Sequence, residues 1–266
     1  MLYLRIISAI IGIPIVLASV YYGGYWYAVF LMLLVNLGVY EFNTMIRSHN
    51  YTAPVIISHI SVSLLIAIIF FEQMTLVYPL LVLTLLVLFA TALFNMEKLS
   101  VIDSALSMWG ILYLGGLTGY LLLLRMLPDG IIYTYILFVG VWVHDISAYF
   151  IGVKWGMRKI AAQISPKKSV EGSLAGIGTV IILFFSITIL FPGFLPVNPL
   201  QAVILGLGIA IFSQLGDLLE SAMKRQMEVK DSSGIIPGHG GILDRFDSLL
   251  LAAPFVFYYF LLINML

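Results

Sequence analysis

Long apolar runs, broken by short polar or glycine- and proline-rich punctuation, repeat along the whole chain. They cover roughly residues 2–22, 25–46, 53–71, 74–95, 105–125, 131–151, 169–191, 199–222 and 247–265. Most approach the roughly 20 apolar residues that cross a hydrocarbon core about 30 Å thick, and a helix satisfies its own backbone there. The breaks fall at Gly23-Gly24, His49 to Pro54, Glu72-Gln73, Asn95 to Asp103, Pro128-Asp129-Gly130 and Phe191-Pro192-Gly193. The pattern predicts an all-α, polytopic transmembrane helical bundle of about nine spanning helices. Met96 to Met108 is expected to begin as a helix lying at the interface. The first run, behind Arg5, lacks a small-x-small cleavage site and reads as a retained helix. Residues 1–266 read as one integral membrane domain, with plain helices over 1–125 and the polar chemistry over 126–266.

Composition agrees with that reading. The 266 residues are 62% hydrophobic and 10% charged, too little polar surface for a water-soluble globule. Net charge is zero, so no global field points to nucleic acid as a partner. The absence of cysteine excludes disulfides, thiolate nucleophiles and thiolate metal sites. Basic residues set the orientation, because positively charged loops stay in the cytoplasm. With a cytoplasmic N-terminus, Arg5, Arg47, Lys98, Lys154, Arg158, Lys159, Lys167, Lys168, Lys224, Arg225, Lys230 and Arg245 fall inside and Arg125 alone outside. The C-terminus is then expected outside. Small residues four apart at Gly115 and Gly119, Gly152 and Gly156, and Gly172 and Gly176 predict close helix packing.

The candidate chemistry lies late in the chain. Ser213, Asp217, Ser221 and Lys224 share one face of the eighth helix, and an intramembrane carboxylate costs about 2.5 to 3.5 kcal/mol at a helix centre. Asp244 and Asp247 lie three apart at the start of the ninth. If the three aspartates gather, each pair at about 4 Å repels by roughly 4 kcal/mol at an effective dielectric of 20. Protonation or a hard divalent cation would answer that repulsion. The bland alternatives are an ion pair of Asp217 with Lys224 or Arg225, and Asp247 as an ordinary helix cap. Between the acids, Lys224, Arg225, Lys230, Pro237-Gly238-His239-Gly240-Gly241 and Arg245 combine cations with backbone that can approach an anion. The preceding polar loop carries His144-Asp145 and Ser165-Pro166-Lys167-Lys168-Ser169. The second group is a candidate anion site at a helix N-terminus or a membrane-surface basic cluster. Glu41 is expected to pair with Arg47 or to cap the cavity.

The interval Ser221-x-Met-Lys224-Arg225-x4-Lys230-Asp231-x-Ser233-x2-Ile236-Pro237-x-His239-Gly240-Gly241-Ile-x-Asp244-Arg245-Phe-Asp247 resembles the signature of phosphatidate cytidylyltransferases, or CDP-diacylglycerol synthases. Asp145-x-x-Ala-Tyr-x-x-Gly152 and Ser165-Pro-x-Lys168-Ser169-x-Glu171-Gly172 resemble further segments of that family. Val153, Ala162, Ser169 and Val170 stand where the family pattern leads us to expect a basic residue, Pro, Thr and Trp. The resemblance implies transfer from CTP to phosphatidic acid at the cytoplasmic face of the membrane, with CDP-diacylglycerol and pyrophosphate as products. It implies Mg2+ on Asp217, Asp244 and Asp247, with a second cation, monovalent or divalent, also compatible with the carboxylates. It also implies catalytic roles for Lys224 and Arg245. Arg225, Lys230, His239, Gly240, Gly241, Ser221, Lys167, Lys168, Ser169 and Asp145 would bind substrate. Membrane lipid surrounds such a protein, and a homodimer is compatible with it. Two competing readings are a transporter or channel using intramembrane carboxylates and a nucleotidyltransferase acting on another lipid phosphate.

Overall fold

The computed structural model describes residues 2–238 and 240–265. Its helices are α1 Leu2–Tyr22, α2 Gly24–Ser48, α3 Val55–Phe70, α4 Val77–Phe94, α5 Val101–Gly110, α6 Leu117–Met126, α7 Gly130–Trp155, α8 Val170–Leu190, α9 Pro199–Gln226 and α10 Leu243–Ile263. A 3-10 turn leads into α4, and a π-helical segment, Ile111–Gly116, joins α5 to α6 in one continuous helix. The protein is therefore a multi-pass membrane protein of helical class. Among the described residues, seven helical stretches are long and apolar enough to cross a bilayer; α3 and the Ile6–Tyr22 part of α1 are apolar but shorter.

The expected helices are all present, with shifted ends. The helix expected to start at the interface begins instead at Val101, because Ser100 and Asp103 form a reciprocal capping box there. Asp103 also accepts the Thr52 amide at 2.8 Å, tying the α2–α3 connection to the same end. Gly152 to Ser169, expected as helix end and loop, contains a two-stranded antiparallel hairpin, β1 Lys159–Ala161 and β2 Ser165–Ser169. Such short strands, one of them reading Ser-Pro-Lys-Lys-Ser, carry no alternation that would announce them.

The chain divides into two compact units, one of residues up to Met126 with Lys224–Phe246, the other of Leu127–Met223 with Asp247 onward. In the first, α2 buries Tyr27, Leu31, Val35, Val39 and Ile46, and the α5–α6 helix packs closely through glycines. A Cβ on Gly110 would lie 2.6 Å from Phe42, one on Gly115 2.9 Å from Val62, and one on Gly119 2.6 Å from Ile69. Polar contacts sort by end. Near the α2 C-terminus sit Thr52, Asp103 and the 232–243 segment, whereas Arg125 donates from Nε to the Val20 carbonyl at 2.7 Å beside Gly23. A cation there complements the C-terminal carbonyls of α1. The segments expected inside thus share one end of this unit and those expected outside the other.

In the second unit α7 and α8 meet along the anticipated glycines. A Cβ on Gly172 would lie 2.6 Å from the Ala148 carbonyl and 3.0 Å from Gly152 Cα, and one on Gly176 2.8 Å from His144. The hairpin is stapled by Glu171, which accepts the Met157 and Arg158 amides at 3.1 Å and Arg158 Nε at 2.9 Å. Tyr133 stacks on Phe260 with centroids 3.8 Å apart, and its hydroxyl bonds Asn264.

Gly172→Ala is expected to destabilise the protein by about 1–3 kcal/mol, because its methyl would press on backbone. Gly178→Ala, with nothing within 4 Å of its Cβ, should leave the thermal midpoint in detergent unchanged or raised.

Candidate active site

The 227–242 connection is built around two carboxylates of the first unit. Asp244, in the first turn of α10, forms an ion pair with Lys224 Nζ and accepts the Ser232 amide at 3.0 Å, the Ser232 hydroxyl at 2.9 Å and the Gly241 amide at 2.8 Å. Lys224 and Asp244 side chains are only 12% and 8% exposed. Glu41, fully buried on α2, accepts the Ile242 and Leu243 amides, each at 2.8 Å, and the hydroxyls of Ser232 at 3.1 Å and Ser233 at 2.6 Å. Ser232 Oγ thus lies within reach of both acids. The glycines of Pro237-x-x-Gly240-Gly241 have a defined reason. Gly240 has φ +84° and a Cβ on it would stand 2.7 Å from Asp244 Oδ2, while one on Gly241 would collide with Ser232 and Glu41. The Ile236 amide donates to the Gly240 carbonyl at 2.9 Å, closing the turn.

The second unit holds a separate acidic group. Asp247 is 7% exposed and lies close enough to Asp217, Glu220 and Asp145 to feel their repulsion. Glu220, on the same helix as Asp217, is fully buried. Lys168 of β2 forms an ion pair with Asp217, and Ser221 Oγ approaches Asp217 at 3.4 Å. Ser213 lies 3.4 Å from His144 Nδ1, which also contacts Asp145 at 3.1 Å. Close approach of α9 to α10 makes this grouping possible: a Cβ on Gly216 would lie 3.0 Å from Ser248 Cα and closer still to the Asp247 carbonyl.

The face of α9 read from the sequence is therefore realised at 213, 217 and 221, with Asp217 paired to Lys168 in the second unit and Lys224 to Asp244 in the first. Asp247 does not act as a simple cap, since it is buried facing other acids. Arg225, Lys230, Arg245 and Lys167 are exposed. Ser169 is buried as the N-cap of α8, its hydroxyl accepting the Gly172 amide at 3.2 Å. The Gly241 amide is committed to Asp244, and His239 lies outside the described residues. Glu41 departs from expectation, because its partners come from the signature segment, while Arg47 reaches the Ala53 carbonyl at 3.4 Å. An acid six residues before an arginine near a helix end looks like a local pair, and nothing in the sequence points it 190 residues ahead. Glu220 went unremarked for a similar reason, standing a turn from Asp217 on a helix end already crowded with charge.

Oxygen donors of this kind suit a hard cation. Among the described residues no three His, Asp or Glu side chains converge as a metal cage. Mg2+ characteristically takes one or two carboxylates and completes its shell with water and phosphate oxygens. Asp217 already has Lys168, and Asp247 is the buried carboxylate with no ion pair to a cation among the described residues. Asp244 has its acceptor positions occupied by Lys224, Ser232 and Gly241.

Comparison with known proteins decides the family. A sequence model described as the cytidylyltransferase family matches residues 3–263. The chain belongs to the cytidylyltransferase family. Among the relatives of this cytidylyltransferase, a phosphatidate cytidylyltransferase of Synechocystis is 34% identical, covering 97% of this chain and 96% of the relative. One of Staphylococcus aureus is 32% identical over 94% of this chain and 95% of its own length. One of Bacillus subtilis reaches 43% identity over 55% and 54% of the two chains.

Asp244→Ala is expected to lower stability by about 3–5 kcal/mol, as breaking a buried ion pair does. Lys168→Met, at a pair 25% and 33% exposed, should cost about 1 kcal/mol or less. Thermal unfolding in detergent compares them, and equal losses would contradict this ranking.

Proposed function

We propose that this cytidylyltransferase transfers the cytidylyl group of CTP to phosphatidic acid, giving CDP-diacylglycerol and pyrophosphate at the cytoplasmic face of the membrane. The observation that carries the reading is the family match along nearly the whole chain, joined to a signature segment in which Ser232, Ser233, Gly240 and Gly241 each meet Glu41 or Asp244. The sidedness rests on the sequence, where all basic residues but Arg125 fall in segments on one side of the alternating spans and the positive-inside rule puts such segments in the cytoplasm.

The residues suit this reaction better than acid–base chemistry. A phosphate monoester has a second pKa near 6, so the lipid headgroup is largely dianionic at neutral pH and needs no strong base to attack the α-phosphorus. What it needs is screening between two polyanions and alignment for in-line displacement. Arg225, Lys230 and Arg245 supply exposed cations around the 227–242 segment, His239 falls within it, and Lys224 is held in place by Asp244. Lys167 and Lys168 add charge from the hairpin, with Lys168 positioned by Asp217. Asp217 and Asp247 would hold Mg2+, with Asp145 and Glu220 adding negative field; Asp244 is given to the loop instead. When bound, that cation would stabilise charge on the phosphates and on the departing pyrophosphate. A transporter would favour helices broken near mid-membrane, whereas α7, α8 and α9 run unbroken.

The test is purified protein in detergent with Mg2+, labelled CTP and phosphatidic acid, followed for lipid-borne nucleotide and pyrophosphate. Turnover should stop on chelation and return with Mg2+. Asp217→Asn and Asp247→Asn should each lower kcat by at least about 100-fold while the protein stays folded. Activity within threefold of wild type in either variant would remove the cation assignment. Absence of product from the folded wild-type protein would remove the reaction.

A further inference from the structure

Glu41 stands about 190 residues from the signature segment, yet it touches more of that segment than any residue outside it. Its carboxylate is fully buried and has four donor groups within reach, the Ile242 and Leu243 amides, the Ser233 hydroxyl and the Ser232 hydroxyl whose one proton it shares with Asp244. Four donors match the acceptor capacity of an ionised carboxylate. Two of them are amides at the N-terminus of α10, which carry no partner within their own helix, and the partial positive charge of that terminus favours an anion. The contact is close enough to exclude any side chain at Gly241, where a Cβ would lie 2.6 Å from Glu41 Oε2. One turn earlier on α2, a Cβ on Gly38 would lie 3.5 Å from Leu243, so α2 abuts the same helix start. Ser232 Oγ lies 2.9 Å from Asp244 as well, which ties Glu41 to the acid that holds Lys224.

We propose that Glu41 is a positioning residue of the active site. It acts through Ser232, Ser233 and the first amides of α10 to hold the 232–243 segment in the one conformation that grips CTP. This rests on the cytidylyl-transfer reading above. Glu41 touches no reacting atom; its role is to remove conformational freedom from the segment before CTP arrives. A triphosphate arriving from water depends on polar groups already in place, so loosening the segment should weaken CTP. Phosphatidic acid is delivered by the bilayer through its acyl chains, so its apparent affinity should change little.

The experiment uses full-length protein in detergent, with Glu41→Gln as the main variant and Ser233→Ala, which removes one donor, as a milder second. Hydrogen exchange should speed up at least tenfold in peptides covering 232–243 for Glu41→Gln, with α3 as the unchanged reference. The KM for CTP should rise at least tenfold while that for phosphatidic acid stays within threefold. A merely structural role would lower the amount of active enzyme without moving either KM. Ser233→Ala should show both effects at roughly threefold, and it decides the matter if Glu41→Gln does not fold. Exchange within twofold of wild type, or an unchanged KM for CTP, in whichever variant folds would overturn the proposal. A wild-type protein that makes no lipid-borne nucleotide would sink the functional reading instead, and the exchange measurement alone would then judge the role of Glu41.

Discussion

A carboxylate taken out of water must be answered by donors or by positive charge, and the late part of this chain is arranged around that requirement. In the first unit both acids are well answered: Glu41 takes two amides and the Ser233 hydroxyl, Asp244 takes Lys224 and two amides, and the one Ser232 hydroxyl proton lies between them. In the second, Asp217 has Lys168, but buried Asp247 has only the Ser248 amide at 2.6 Å against the repulsion of nearby carboxylates. The two groups differ in consequence. Satisfied acids fix a loop and a helix start. An acid pressed against like charges creates a place where a cation is favoured.

The helical class and the position of nearly every break were legible because bilayer thickness and backbone satisfaction leave few options for a chain this apolar. Glycine spacing foretold the tight α7–α8 contact at Gly172 and Gly176, since nothing larger fits against the Ala148 carbonyl or His144. What escaped was local. The capping box at Ser100 set a helix start that hydropathy had blurred, and the π-helical segment at Ile111–Gly116 has no periodic signal of its own. The β1–β2 hairpin depends on Glu171 reaching back to Met157 and Arg158, a contact that spacing alone does not announce.

At the site, charge type and spacing single out candidate residues more readily than the contacts each one makes. Asp217 and Asp247 do come together, because Gly216 lets α10 approach α9. Asp244 looks equivalent to Asp247 from a three-residue spacing, yet the two side chains enter different surroundings: Asp244 is enclosed by donors, whereas Asp247 is buried with the Ser248 amide at 2.6 Å and feels the charge of Asp217. Lys168 was read as a phosphate ligand and is found on Asp217. Glu41 was the hardest to read, because its partners lie in a segment separated from it by most of the chain. Charge type and spacing reveal candidates, whereas pairing across such distances is a property of the fold.

Helix α3 carries a further implication. Its 16 residues rise about 24 Å, some 6 Å short of a typical hydrocarbon core of about 30 Å. Ile56, Ile60 and Leu64 lie exposed along it, suited to acyl chains. If it crosses the bilayer, the leaflets must draw together around it, at a cost of fractions of a kcal/mol per Å. Hydrophobic mismatch would then leave a dimple of thinned, disordered lipid along this flank, where a headgroup travels a shorter way out of the leaflet than elsewhere around the protein.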